Sequence, residues 1–223
     1  MKFIEYADRE LLMIGLADVL AGELSTALRH NDQASFCVPG GTTPAPVFEF
    51  LSGVSLDWDR VVVFPNDERW VPENSDRSNA RMLRASLLQN RAAAARFLPL
   101  YDASVDPDAS LDTVAATITP HLPISVLLLG MGADMHTASL FPGADNLERA
   151  LASDAPVLMP MRAPEAGELR VTLTAPVLAQ AMTTHILITG TQKRRALEKA
   201  QHLTEIEAPV RSVSANATVH WAE

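Results

Sequence analysis

A change of period along the chain constrains its fold more than any other feature. Four apolar runs, "SFCV", "RVVVF", "ISVLLLG" and "THILITG", are of strand length, rich in β-branched residues and free of the polar alternation that a half-wet sheet shows. Such runs need cover on both faces, which a parallel sheet between layers of helix supplies. Between them lie stretches of helical spacing: "TPAPVFEFL", "SNARMLRASLLQN", "SLDTVAATI", "TAPVLAQAM" and "TQKRRALEKAQHL". Ahead of the first run, Leu11, Ile14, Leu16, Val19, Leu20 and Leu24 recur in a mostly helical pattern behind Asp8, a natural cap, and mark a first long helix. Pro44 suits the first turn of the helix after "PGGTTP". The whole reads as an α/β fold with a mainly parallel sheet.

At 223 residues the chain could hold one large domain or two small ones. It has no internal repeat, low-complexity tract or Gly/Ser linker, so residues 1–223 are expected to form a single domain. The longest expected loop is "NDERWVPENSDRSN", residues 66–79, and "APVLMPMRAP", residues 155–164, reads as an edge excursion. A formal charge of −9 argues against nonspecific nucleic-acid binding, which needs clustered cations. A small anionic ligand would instead need a local cationic pocket set against that field. Cys37 is the one cysteine and sits in an apolar run, where packing is its expected role; it allows neither an internal disulfide nor a multi-cysteine metal site. No apolar run looks long enough to cross a membrane, and "MKFIEYADRELL" lacks the succession of a signal peptide, so no membrane partner and a cytoplasmic location are expected.

In a parallel sheet of this kind the loops leaving the carboxyl ends of the strands share one rim, and ligands bind there. The four runs lead into "PGGTTP", "PNDERWVP", "GMGADMHTASLFPG" and "GTQK". Gly40 and Gly41 allow close backbone approach, and Thr42 and Thr43 offer hydroxyls just before a helix, a combination that can cradle a phosphate but also occurs for structural reasons. It is no P-loop, and "GMGADM" carries Met135 where a dinucleotide fingerprint needs its third glycine, so no nucleotide cofactor is assigned. Lys193 in a first helical turn opposes the helix dipole, which makes sense beside a bound anion and equally fits a solvated basic face with Arg194 and Arg195. Arg69 could simply pair with Asp67 or Glu68 in a surface loop. His136 stands two residues after Asp134 in a glycine-led loop, a spacing that lets a carboxylate hold an imidazole as general base. His30, His121, His185, His202 and His220 lie in ordinary mixed segments. With no Gly-x-Ser-x-Gly elbow and no His-Glu-x-x-His site, water activated by histidine is the economical nucleophile, and no metal is expected.

The blocks "PGGTTP", "DERWVP" with "SNARML", "LLLGMGADMHTASLFPG", "RVTLT" and "ITGTQK" resemble, in order and over nearly the whole chain, the 6-phosphogluconolactonases of the group related to glucosamine-6-phosphate deaminase. The third block is the most specific; the family usually has glycine where Met135 stands, which bears on the shape of the loop. The resemblance implies a Rossmann-like three-layer α/β sandwich, a phosphorylated sugar lactone as substrate, and no cofactor. It implies catalysis centred on His136 with Asp134 and Arg69, and substrate or phosphate binding by Gly40, Gly41, Thr42, Thr43, Asp67, Arg170 and Lys193. It implies hydrolysis of the lactone by a histidine-activated water, in a monomer or weak homodimer. Two alternatives stay open. One is a deaminase-like isomerase, whose members follow the loop histidine with Ile-Ala-Phe-Asn where this chain has "HTASLF". The other is a noncatalytic sugar-phosphate sensor, which would be expected to carry a DNA-binding segment for which the chain has no spare length.

Overall fold

The computed structural model describes residues 1–163 and 167–223. In chain order the elements are β1 (Lys2–Glu5), α1 (Arg9–His30), β2 (Ala34–Val38), α2 (Ala45–Ser52), β3 (Val61–Pro65), β4 (Asp67–Arg69), α3 (Asn79–Ser86), β5 (Arg96–Phe97) and α4 (Asp112–Ile118). There follow β6 (Val126–Gly130), α5 (Leu147–Leu151), β7 (Leu158–Met161), β8 (Arg170–Leu173), α6 (Ala175–Ala179), β9 (Thr183–Thr189), α7 (Thr191–Ala200), α8 (Arg211–Ser214) and β10 (Thr218–Ala222). The four apolar runs are β2, β3, β6 and β9, and they lie side by side in a seven-stranded sheet of order β1-β10-β9-β6-β2-β3-β5 in which every pairing is parallel.

Burial on both faces explains why the runs are continuous. Phe36 and Val38 of β2 and Leu128 of β6 face a core shared with α1 and α2, while Cys37, Leu127 and Leu129 face a second core shared with α7 and α8. The chain is thus the expected three-layer α/β sandwich with a mainly parallel sheet, and Cys37 is a packing residue, fully buried, its thiol pushed up by burial and by the charge of Asp67. Between β2 and β6 the direction of strand order reverses: β3 continues to one side, β9 and β10 to the other. A crevice opens at such a point, between the loops after β2 and β6.

Several expectations need correction. Helix α1 starts behind Asp8, whose carboxylate accepts the Leu11 amide at 2.8 Å, but the buried row is Leu12, Met13, Leu16, Ala17, Leu20, Leu24 and Leu28. Leu11 and Ile14 are exposed. The same helix is, by length and apolarity, long enough to span a membrane, contrary to the expectation that no run is; here its leucine row packs on the sheet. Asp67 to Arg69, expected in a loop, form a strand that pairs antiparallel with β8, and β8 pairs with β7, giving a second, three-stranded sheet of order β4-β8-β7. The edge excursion at residues 155–164 therefore contains a strand, with Leu158 and Met161 buried; its last residue, Pro164, lies outside the described residues. Three-residue pairings like β4 carry too little periodic signal to read as strands.

Two of the histidines read as ordinary are buried and linked. Tyr6 Oη lies 2.9 Å from His220 Nδ1, and His220 Nε2 lies 3.0 Å from His185 Nδ1. Burial depresses His185 to about 4; burial, with His185 and Lys2 nearby, depresses His220 to about 3. Both folded values lie below the ordinary 6.5, so below about pH 6.5 the unfolded chain binds protons that the folded chain does not, and stability falls as pH drops toward 4. At pH 5 the pair should account for about two protons taken up on unfolding. Urea unfolding of the wild type and of the His185→Gln, His220→Gln double variant between pH 7 and 4.5 checks this: the variant's stability should lose that slope, and an unchanged slope would contradict the assignment.

Candidate active site

Gly40, Gly41, Thr42, Thr43, Asp67, Arg69, His136, Arg170 and Lys193 line one open cleft of about 310 Å³ at the carboxyl ends of the strands, joined by Asn66, Asn79 and the Gly130–Gly132 backbone. Of the residues expected at the site, Asp134 alone is not on the cleft wall; it stands behind His136. Residues far apart in sequence meet there because the loops after β2, β3, β6 and β9 open on the same rim, and β8 brings Arg170 in from the second sheet.

The histidine loop is built tightly. Asp134 Oδ1 lies 2.6 Å from His136 Nδ1 and also accepts the His136 amide at 3.2 Å. The His136 ring rests against Phe141, centroids 4.2 Å apart. Burial pushes the Asp134 carboxyl up, but the hydrogen bonds and charge of His136 outweigh it and leave the carboxyl below its ordinary value. An ionised Asp134 accepts the proton of Nδ1–H and so fixes the tautomer whose Nε2 has the free lone pair. Gly132 is required by this pair: a Cβ there would overlap both Asp134 Oδ1 and the imidazole ring. Met135 adopts φ +69°, the left-handed conformation that suits glycine and costs another residue roughly 1–2 kcal/mol. Its side chain packs on the core and its carbonyl accepts the Val210 amide at 3.1 Å, so the loop holds Asp134 and His136 together with methionine in place. The following residues lock the loop down, Thr137 Oγ1 donating to the Gly130 carbonyl at 2.9 Å and Ser139 Oγ to Asp67 Oδ2 at 2.6 Å.

Asp67 and Glu68 do not pair with Arg69 as a surface loop would have it. Glu68 is fully buried at the start of α3, where it accepts the amides of Asn79 at 2.7 Å and Ala80 at 2.8 Å, the Arg69 amide at 2.8 Å and the Ser78 hydroxyl at 3.2 Å. Burial raises its pKa, and these amides offset part of the rise. It is a helix anchor. Asp67 is held by Ser139 and by Asn79 Nδ2, which also donates to its backbone carbonyl at 2.8 Å. Asn79 in turn fits only because residue 40 is glycine: a Cβ there would overlap the Asn79 amide.

Three cations face the cleft. Arg69 and Arg170 are directly paired positions on β4 and β8, and the Nε of each is buried with no hydrogen-bond partner among the described residues. Arg69 is tethered through one terminal nitrogen to the Arg77 carbonyl at 2.6 Å, while Arg170 lies 3.8 Å from Asp67, 3.4 Å from Glu168 and 5.2 Å over the Phe141 ring. Burial lowers the Arg170 pKa, against the charge of Asp67, and Arg69 lowers it further. Lys193, third residue of α7 behind Gly190 at φ +81°, is also lowered by burial, opposed by Asp134. It makes no ion pair among the described residues, whereas its neighbour Arg194 pairs with Glu5 and lies over Trp221. The basic run thus splits between cleft and scaffold. Two adjacent, partly buried guanidiniums and an unpaired ammonium form a place for an anion. Among the described residues no cluster of three His, Cys, Asp or Glu is arranged to hold a metal. Sequence reasoning missed Asn66, Asn79, Ser139 and Phe141 as members of the site. Ser139 and Phe141 lie inside the histidine block it singled out, and Asn66 and Asn79 are the two ends of the loop 66–79 it marked, but no spacing within these segments picked out the individual residues.

Residues 7–221 match the family model described as glucosamine-6-phosphate isomerases/6-phosphogluconolactonase. The chain is 44% identical over 198 residues to a 6-phosphogluconolactonase of Mesorhizobium japonicum, covering 87% of this chain and 83% of that one. It is 42% identical over 215 residues to a 6-phosphogluconolactonase of Pseudomonas aeruginosa, with 93% and 89% covered. A crystal structure of a 6-phosphogluconolactonase from Shewanella baltica matches with a TM-score of 0.95 at 32% identity, over 100% of this chain and 98% of that one.

The packing of Gly132 against the pair yields a direct test. Gly132→Ala should leave the fold intact and break the 2.6 Å Asp134–His136 contact, which nitrogen-15 NMR of the His136 ring would show as loss of the single Nε2-unprotonated tautomer. An unchanged tautomer in the variant would mean that the loop has room the geometry denies it.

Proposed function

This chain belongs to the family of glucosamine-6-phosphate isomerases and 6-phosphogluconolactonases, and from that membership we propose that it is a lactone hydrolase converting 6-phospho-D-glucono-1,5-lactone to 6-phospho-D-gluconate, a step of the oxidative pentose phosphate pathway. The observation that carries the proposal is the meeting, in one cleft, of a carboxylate-held imidazole with three cations that have few or no protein anions to satisfy them.

The phosphate sits against the turn Gly40, Gly41, Thr42 and Thr43, where Gly41 has φ +88°, and takes charge from Lys193 and Arg170. Asp67 steers Arg170 and, facing the same cleft, is available to a sugar hydroxyl. His136 Nε2 takes a proton from water as the oxygen attacks the C1 carbonyl; the carbonyl electron pair moves onto oxygen, where Arg69 stabilises it. Collapse of the tetrahedral intermediate breaks the bond between C1 and the ring oxygen, and the imidazolium returns its proton to that oxygen, which becomes the C5 hydroxyl. The new carboxylic acid then loses its proton to solvent. Asp134 stays ionised throughout, supporting the imidazolium. A cyclic ester is already electrophilic, so the chemistry asks for no cofactor. A net charge of −9 disfavours nonspecific nucleic-acid binding; action in the cytoplasm without a membrane partner, as a monomer or weak homodimer, is part of the same proposal.

Turnover of the phosphorylated lactone, followed by acid release with spontaneous opening subtracted, tests the proposal against unphosphorylated gluconolactone. The phosphorylated substrate should be strongly preferred, and Lys193→Ala should lower kcat/KM for it by roughly 10- to 100-fold, the scale of one charge-assisted contact, while barely touching the other. Equal efficiency on both substrates would remove the phosphate anchor, and no turnover of either would remove the activity.

A further inference from the structure

Four side-chain atoms are buried without a hydrogen-bond partner among the described residues: Asn66 Oδ1, Arg69 Nε, Arg170 Nε and His185 Nε2. The first three belong to residues lining the cleft. Two of those are cationic donors, whose use for an anion is already explained. Asn66 Oδ1 is different, because it is an acceptor and an anion cannot satisfy it.

Asn66 is fixed everywhere else. It is fully buried, its amide donates to the Val38 carbonyl at 2.9 Å, its carbonyl accepts the Leu173 amide at 2.9 Å, and its Nδ2 donates to the Leu128 carbonyl at 3.2 Å. The last contact decides which end of the amide is which, since a carbonyl can accept only from the NH2 group. Asn66 lines the cleft, and with Nδ2 engaged Oδ1 is left as its one unpaired side-chain polar atom, a desolvated acceptor whose burial without a donor is unfavourable. Its location is equally informative: the bond to Val38 ties it to the strand that enters the Gly40–Thr43 turn, and the bond to Leu128 ties it to the strand that enters the histidine loop. It sits between the two.

We propose that Asn66 Oδ1 is a specificity determinant that accepts a hydrogen bond from a hydroxyl on the middle of the sugar, between the anchored phosphate and the reacting carbonyl. The proposal rests on the lactone reading of the cleft. On such a substrate the phosphate dianion, the carbonyl and the ring oxygen only accept; the hydroxyls at C2, C3 and C4 are the only donors. An unfilled acceptor in mid-cleft thus selects a hydroxyl, and a site that presents a buried polar atom discriminates against a substrate that leaves it unpaired.

The test is a substrate–enzyme cycle. kcat/KM is measured for the 6-phosphorylated lactone and for its 2-, 3- and 4-deoxy counterparts, with wild type and with Asn66→Ala, spontaneous opening subtracted. For one of the three, wild type should prefer the parent by at least tenfold more than Asn66→Ala does; taking the ratio between enzymes cancels the change that a missing hydroxyl makes to lactone reactivity itself. If the preference is the same in both enzymes for all three analogues, including the case in which Oδ1 serves a water and Asn66→Ala slows every substrate alike, the proposal is overturned. Should Asn66→Ala not fold, Asn66→Ser takes its place in the cycle under the same criterion. Turnover of the parent by wild type reports separately on the lactone reading: failure there overturns that reading, while normal turnover with no hydroxyl dependence overturns only the role of Asn66.

Discussion

The buried acids Asp67 and Glu68 hold the site together. Putting two neighbouring carboxylates below the surface is costly, and each is retained because it satisfies groups from several elements at once. Glu68 takes the free amides at the start of α3, and burial still leaves its carboxyl above its ordinary value. Asp67 gathers Ser139 from the histidine loop, Asn79 from α3 and Arg170 from β8. The short strand β4 is thus the joint at which the large sheet, the small sheet and the histidine loop are fixed relative to one another. Gly40 follows from it, since a Cβ there would overlap the Asn79 side chain that clamps Asp67, whereas Gly132 answers to the Asp134–His136 pair.

Electrostatics then separates the cleft from the rest of the molecule. The chain as a whole is strongly acidic, yet Arg69, Arg170 and Lys193 face one space, and burial weakens the hold of Arg170 and Lys193 on their protons. Like charges brought together and partly desolvated are unfavourable in the free protein, a cost that the phosphate of the proposed substrate would relieve. The local field can in this way select an anionic sugar although the distant field repels it.

What was legible in the sequence followed from strong periodicity and from special residues. The continuous runs of β2, β3, β6 and β9 identified buried parallel strands, and the loops behind them pointed to the rim where His136, Arg69, Lys193 and the Gly40–Thr43 turn meet. The antiparallel sheet was not legible, because β4 and β8 are short and their partner is fixed by tertiary contacts such as Arg69 opposite Arg170. Helix α1 was found but turned: Leu11 and Ile14 look like core residues by hydrophobicity, while packing on the sheet selects the row through Leu12, Leu16 and Leu20. Asn66 and the His185–His220 pair show a further limit, since the meaning of a polar residue depends on which of its atoms find partners, and spacing carries no record of that.

The central claim is that His136, oriented by Asp134, is the base that activates water. His136→Asn tests it most directly, because asparagine keeps hydrogen-bonding capacity in the loop but cannot take up a proton near neutral pH. Lactone turnover by the folded variant should fall close to the spontaneous rate at every pH from 5 to 8, with binding of 6-phosphogluconate retained. Near-normal turnover would contradict the claim, reduce His136 to a loop-stabilising residue and move the search for the base to Asp67.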